Sequence, residues 1–403
     1  MKQVRLRFLT ALAFSLGVFL WAIDATYTRF HPYSEVSQIG QNVRSFKELS
    51  DRFVELASKK GAVYAYEILK QANLPQGTDF HLLGHVVGDE LYKQKGVGAI
   101  ADCTQDFRNA CSHTIVIGAL NEFGGEKALS LIRDACIKAP GGSGAYTMCY
   151  HGLGHGVFAY FGYDLEKTVG LCRKTGTTAY NDREYTECVS GAIMELMGGG
   201  GHDRELWLLA REKYLDKEDP LAPCSKDVIP RDAKGMCYTY ITPHLFEFAG
   251  ADLAMPRPEH FATAFSYCDN ISSELPDLRQ SCFSGIGKEF PVLAMARDIR
   301  LVDKASDNEL NIMRNWCALA PHEEAYEACT RSVLESLFWG GENDPVASIR
   351  FCSLSVDDEQ EKCFGVLFDE AGHYLKTESS ERKNLCARVP ERFLAECHKK
   401  LSI

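Results

Sequence analysis

The chain has 403 residues, of which 45% are hydrophobic, 25% charged and 11% aromatic, a balance that supports a large core and excludes global disorder. Its 44 basic residues stand against 55 acidic ones, for a net charge of −11 with no basic run, which argues against a nucleic-acid partner. The feature that has to be explained is the 16 cysteines.

At the N-terminus Lys2, Arg5 and Arg7 precede an apolar stretch, 8–23, closed by Asp24. Residues 1–25 therefore read as a signal anchor or a signal peptide. Cleavage after Ala25 would place Ile23 where a small residue is wanted, and Trp21 suits a membrane interface. The expectation is a single-pass membrane protein tethered through this N-terminal helix, with secretion after cleavage as the alternative. Both readings put the rest of the chain outside the cytoplasm, in a periplasm, on a cell surface or in a secretory lumen. Residues 26–42 read as a stem and 43–403 as a helical-repeat domain.

The cysteines are Cys103, Cys111, Cys136, Cys149, Cys172, Cys188, Cys224, Cys237, Cys268, Cys282, Cys317, Cys329, Cys352, Cys363, Cys386 and Cys397. Short and long intervals alternate along this series, the short ones 8 to 16 residues and the long ones at least 23. The economical reading is eight local disulfides, each cysteine bridging to its near neighbour, which agrees with an exported chain. A metal site or a thioredoxin-like site would need C-x2-C spacing, and none occurs.

The first cysteines of the pairs recur every 33 to 52 residues, the range of stacked helical hairpins. A helical stretch runs into the first cysteine, as in Glu126–Cys136. A polar loop follows, and the second cysteine opens another helix, as in CYHGLGHGVF, CYTYITPHLF and CFSGIGKEFP. The spacing predicts an all-α fold, an α-solenoid of stacked helical hairpins, each stapled by a local disulfide. A cysteine-free hairpin with helices near 61–72 and 78–94 precedes these, behind a capping helix at 43–59. Small residues on the second helices, among them Gly84, Gly88, Gly152, Gly191 and Gly285, would let those helices approach closely. The layout resembles the cysteine-rich, tetratricopeptide-related repeat proteins of bacteria in its stapled hairpins. It departs from them in its longer period and in lacking their leucine–glycine–tyrosine helix signature, so the resemblance is one of architecture.

Aligned on the second cysteine, His113 and His151 both lie two residues after it, and His155 lies six after. In the cysteine-free hairpin Asp79 takes the cysteine position, and His81 and His85 fall at the same offsets. Residues i and i+4 share a helix face, so ligands from adjacent helices could converge on one or two ions. His81, His85, His113, His151, His155 and Asp89 are the candidate metal ligands, with Glu90 and Glu122 as further oxygens and Zn or Fe as the candidate metal. The competing reading is that these histidines fill polar slots inherited by related repeats. Glu195, His244, Glu289, Glu335 and Glu370 recur six or seven residues after the second cysteine and would line an acidic concave groove or lie on a solvated face. The dyad His322-Glu323 matches the His-Glu dyads of deoxyhypusine hydroxylase by analogy only. Asn270 heads one glycosylation sequon, Gly198–Gly201 lacks the ending of a phosphate loop, and no catalytic residue is assigned.

Two functions follow as expectations. The first is an extracytoplasmic, membrane-tethered helical-repeat binding scaffold with a His-rich metal site. Without its three basic N-terminal residues the exported part carries −14, so its concave face would take a cationic or neutral protein or peptide partner. The alternative is a metal-dependent hydrolase or oxygenase built on the histidines of the first three repeats. Convergence of the five imidazoles on a pocket separates the two.

Overall fold

The computed structural model describes residues 34–403, apart from residues 105, 140, 199–202, 253–256 and 341–342. The expected signal segment, 1–25, and residues 26–33 of the expected stem lie outside the described residues. Every regular element among the described residues is helical, so the all-α expectation holds. No helix among them is long and apolar enough to cross a membrane.

A short helix α1 (Ser34–Gln38) leads into α2 (Phe46–Lys60), which starts where the Ser45 hydroxyl accepts from the Glu48 amide. Helices α3 (Ala62–Gln71) and α4 (Phe80–Lys95) form the cysteine-free hairpin. The carboxylate of Asp79 accepts from the Leu82 amide at 2.9 Å, so the residue in the cysteine's place opens α4 as its cap. After a 3-10 segment at Gly96–Asp102 come α5 (Asp106–Phe123), α6 (Gly125–Cys136), α7 (Ser143–Tyr160), α8 (Leu165–Cys172) and α9 (Arg183–Gly198). Then follow α10 (Arg204–Tyr214), α11 (Lys234–Tyr240), α12 (Thr242–Phe248), α13 (Pro258–Cys268) and α14 (Pro276–Ala294). The chain ends with α15 (Asp307–Cys317), α16 (Glu323–Trp339), α17 (Val346–Ser353), α18 (Asp357–Tyr374), α19 (Ser380–Cys386) and α20 (Leu394–Leu401).

All eight local disulfides are present, with Cα–Cα separations of 5.4–5.7 Å and no cysteine left free. By loop-closure entropy, rings of this length each contribute about 2.5–3 kcal/mol. The fourth stapled hairpin departs from the expected pattern. Helix α10 ends at Tyr214, well before Cys224, which lies among turns. The run expected as one helix after Cys237 is broken between α11 and α12, where Pro243 has no amide to continue the ladder.

The second helices stack in chain order, α4 on α5, then α7, α9, α11, α14, α16, α18 and α20. Two glycines admit close approaches beside the histidines. A Cβ on Gly191 would lie 1.8 Å from the His151 carbonyl oxygen, and one on Gly152 would lie 2.5 Å from the His113 ring. The row does not stay open. The Gly142 amide donates to the Tyr374 carbonyl at 2.7 Å, tying α7 to α18. The Arg300 guanidinium lies 3.6 Å from the Phe80 ring and donates to the Ala72 carbonyl at 2.8 Å. The late hairpins thus fold back on the first ones.

This curl turns the expected concave positions inward. Glu195 and His244 are buried, and Glu289, Glu335 and Glu370 are half-buried. Glu289 pairs with Lys288, and Glu335 with Arg331 at 2.8 Å. Burial, aided by the neighbouring Glu335, pushes the Glu370 carboxyl up to about 8.

Candidate metal centre

Three consecutive second helices supply the histidines: α4 carries His81 and His85, α5 carries His113, and α7 carries His151 and His155. Because α4, α5 and α7 are successive neighbours, the offsets of two and six residues bring all five rings together. Ring centroids of His113 lie 5.4 Å from His81, 5.6 Å from His85, 5.6 Å from His151 and 5.8 Å from His155. His81, His85 and His113 each offer a nitrogen within 4.8 Å of the others. Asp89 sits half-buried one turn beyond His85 and is not in that group among the described residues. Glu90 pairs with Lys93, and Glu122 accepts from the Tyr92 hydroxyl.

The outward nitrogens of three rings are fixed by acceptors. His81 Nδ1 faces the Phe107 carbonyl at 2.7 Å; a carbonyl only accepts, so Nδ1 carries the proton and Nε2 is bare. His155 Nδ1 faces the Glu195 carboxylate at 3.0 Å and donates to it. His151 Nδ1 lies 2.7 Å from the Ser190 hydroxyl, whose own proton goes to the Glu187 carbonyl at 2.7 Å. That hydroxyl therefore accepts from His151. Such second partners are how proteins aim imidazole lone pairs at a metal. Nε2 of His81 lies 3.1 Å from Nε2 of His85, and Nε2 of His155 lies 3.4 Å from Nε2 of His151. Two nitrogens bound tetrahedrally to one ion at 2.0–2.1 Å stand about 3.3–3.4 Å apart.

Burial favours the neutral, ligating form of three of the rings, His81, His113 and His151. It takes His81 down to about 4. It also takes His113 and His151 well below the ordinary imidazole value, with neighbouring imidazoles adding to the effect. His113 is 1% exposed, and neither ring nitrogen has a hydrogen-bond partner.

The backbone beside the cluster is strained. Phe107, Arg108 and Asn109 have φ of 57°, 56° and 63°, three successive non-glycine residues in the left-handed region. This turn, spanned by the Cys103–Cys111 bond, aims the Phe107 carbonyl at His81. It also buries the Arg108 guanidinium against Trp339, 4.8 Å from the ring centroid.

His81, His85 and His155 form one wall of a cavity of about 300 Å³ whose other walls include Arg108, Tyr240 and Arg297. The carboxylates around it are engaged: Asp79 caps α4, Glu195 holds His155, Glu247 pairs with Arg211 and Glu289 with Lys288. The dyad histidine His322 instead caps α16, accepting from the Ala325 amide, and pairs with Asp269.

Residue pattern alone does not point to Glu187 or to the Phe107 carbonyl. Ser190 does carry a signal, since it lies two residues after Cys188, in the column that holds His113 and His151, but a serine there is not a metal ligand and is easily passed over. Compared with known protein families, curated proteins and solved structures, the chain matches none.

Proposed function

We propose that this protein is an extracytoplasmic metal-dependent enzyme of the hydrolytic class, with Zn²⁺ held by His81, His85 and His113 at the wall of the cavity. The observation that carries the reading is His113. A buried imidazole with two unpartnered nitrogens costs stability, and a cation bound by one of them removes part of that cost. Three imidazoles with an open fourth position are a zinc set that lowers the pKa of bound water to about 7. The oxygen-activating iron set needs two histidines and a carboxylate, and the three grouped ligands are all imidazoles. Arg108 and Arg297 offer guanidinium donors across the cavity, which suits a small substrate with an anionic group. Residues 1–25 would tether the enzyme to the membrane, and the eight disulfides fit an oxidising compartment. The binding-scaffold reading ranks second because the polar positions expected on its concave face are turned inward, three of them, Glu195, Glu289 and Glu335, into pairs with neighbouring side chains.

The test is elemental analysis of protein secreted in oxidised form, followed by ester, amide and phosphoester hydrolysis before and after chelation. Stoichiometric zinc, with activity lost on chelation and regained on adding Zn²⁺, is expected. A protein that takes up no metal on reconstitution overturns the proposal.

A further inference from the structure

The cavity beside the histidines carries charges that metal binding does not use. Its other walls include Arg108, Lys288 and Arg297. Arg108 is 9% exposed, and its Nε has no hydrogen-bond partner. Its side chain makes no ion pair among the described residues, and its one hydrogen bond there is the 3.3 Å donation to Ser336. A buried guanidinium bonded so lightly is costly unless an anion joins it. The carboxylate that faces these cations is already taken, since Glu289 pairs with Lys288. Burial raises the Glu289 carboxyl, but Lys288, Arg108 and Arg297 outweigh it and hold the group below its ordinary value. Three cations thus share one carboxylate. Both arginines also stand on left-handed backbone: Arg108 at φ 56° within its strained turn, and Arg297 at φ 68° after Ala296 at φ 51°. Such backbone at non-glycine residues costs energy and gathers at ligand sites, and these two turns enter the same cavity.

We propose that the cavity selects small amides or esters carrying one carboxylate beside an apolar group, with Arg108 receiving the carboxylate and the exposed Arg297 assisting. A planar carboxylate meets a guanidinium through two parallel N–H···O bonds. Phe246, Val292 and Leu293 line the same space and suit the apolar group, while the volume of about 300 Å³ keeps the ligand small. Asp79 and Glu195 line it as well, and their charge favours a monoanion over the dianion of a phosphate monoester. The inference rests on the metal reading above for the bond that is cleaved; the anion site itself needs no metal. Hydrolysis adds one water across the acyl bond and leaves an acid with an amine or an alcohol. The carboxylate held by Arg108 is unchanged in that step.

The experiment titrates the full chain, held metal-free in chelator, with 3-phenylpropionate, 3-phenylpropionamide, acetate and phenyl phosphate in a calorimeter. 3-Phenylpropionate should bind, with the amide and acetate each weaker by at least about tenfold and phenyl phosphate weaker than the acid. Arg108→Met should bind acid and amide alike while taking up zinc as the parent does. An amide as tight as the acid, or no binding of the acid, overturns the carboxylate site. Phenyl phosphate binding more tightly than the acid overturns the substrate class, and an Arg108→Met protein that keeps the preference overturns the role of Arg108. Zinc counted on the same preparations separates the two readings. Zinc bound without a preference for the acid leaves the metal centre standing and sinks this inference, whereas a preference without zinc sinks the hydrolytic assignment. If Arg108→Met fails to fold, the acid-to-amide preference of the unaltered protein decides.

Discussion

At the scale of single residues, His113 separates a site from a structural filler. A filler would be held by its hydrogen bonds, and replacing it would weaken the fold under all conditions. His113 makes none, so His113→Leu removes two unpaired buried polar atoms at similar volume. Each such atom costs on the order of 1–3 kcal/mol. In chelator the variant should therefore melt at or above the temperature of the parent. With excess Zn²⁺ the parent should gain about 4 kcal/mol at a thousandfold the dissociation constant, and the variant should gain almost nothing. A variant less stable than the parent in chelator would identify His113 as a structural residue. The neighbouring rings set a pH dependence. His81 titrates at about 4 when folded against 6.5 as a free group, and His113 and His151 shift in the same direction. The unfolded chain then binds more protons than the folded one between pH 6.5 and about 4, so stability falls as pH falls through that window. Urea melts of metal-free protein should show a lower midpoint at pH 5 than at pH 7.5. An equal or higher midpoint at pH 5 would mean that the rings are not held neutral.

At the scale of elements, the stacking of α4, α5, α7 and α9 is set by glycines that admit backbone or ring where a Cβ would stand. Gly191→Ala would press its methyl against the His151 carbonyl oxygen, 1.8 Å away. Helices α7 and α9 would have to part, at a cost of about 1–3 kcal/mol, and the Ser190 contact to His151 would stretch. Gly170, exposed in α8, is the control, because a methyl added there would meet nothing within 4 Å. There alanine should stabilise by about 0.5–1 kcal/mol through helix propensity. Thermal melts of both variants, with zinc titration of Gly191→Ala, check the pair; equal stabilities would mean that the stack tolerates looser packing. What was legible in the sequence at this scale was local. The alternating cysteines mark the hairpins, because each bond closes within 16 residues. The i, i+4 pairs His81/His85 and His151/His155 mark the helix faces that meet in the cluster. The break at Pro243 is visible as a residue without an amide, but the apolar run around it reads as one helix. The turn at Phe107–Asn109 has little sequence signature, because two of its three left-handed residues, Phe107 and Arg108, ordinarily avoid that backbone.

At the scale of the whole molecule, the cavity joins residues that local pattern could not bring together. Arg108 from α5 meets Arg297 and Lys288, about half the chain further on, and Arg108 donates to Ser336 at 3.3 Å. Their meeting depends on the curl of the array, a sum of small rotations at every interface, which spacing does not encode. The curl also predicts how the protein unfolds. An open row of repeats contacts only its neighbours, and its ends can melt independently of its middle. Here the first hairpin is clamped to the segment after α14 by Arg300, and α7 is tied to α18 through Gly142. The unaltered protein should therefore unfold in one denaturant transition, with circular dichroism and tryptophan fluorescence coinciding. Arg300→Ala removes the stacking on Phe80 and the bond to the Ala72 carbonyl. Gly142→Val adds a Cβ 2.6 Å from the His373 carbonyl oxygen and wedges the second tie apart. The double variant should unfold in two separated steps, the disulfides intact throughout. If both proteins give one coincident transition, the row is held together by its neighbour contacts alone. If the parent already gives two, the seam carries no cooperativity, and the cavity it closes must open without unfolding the rest.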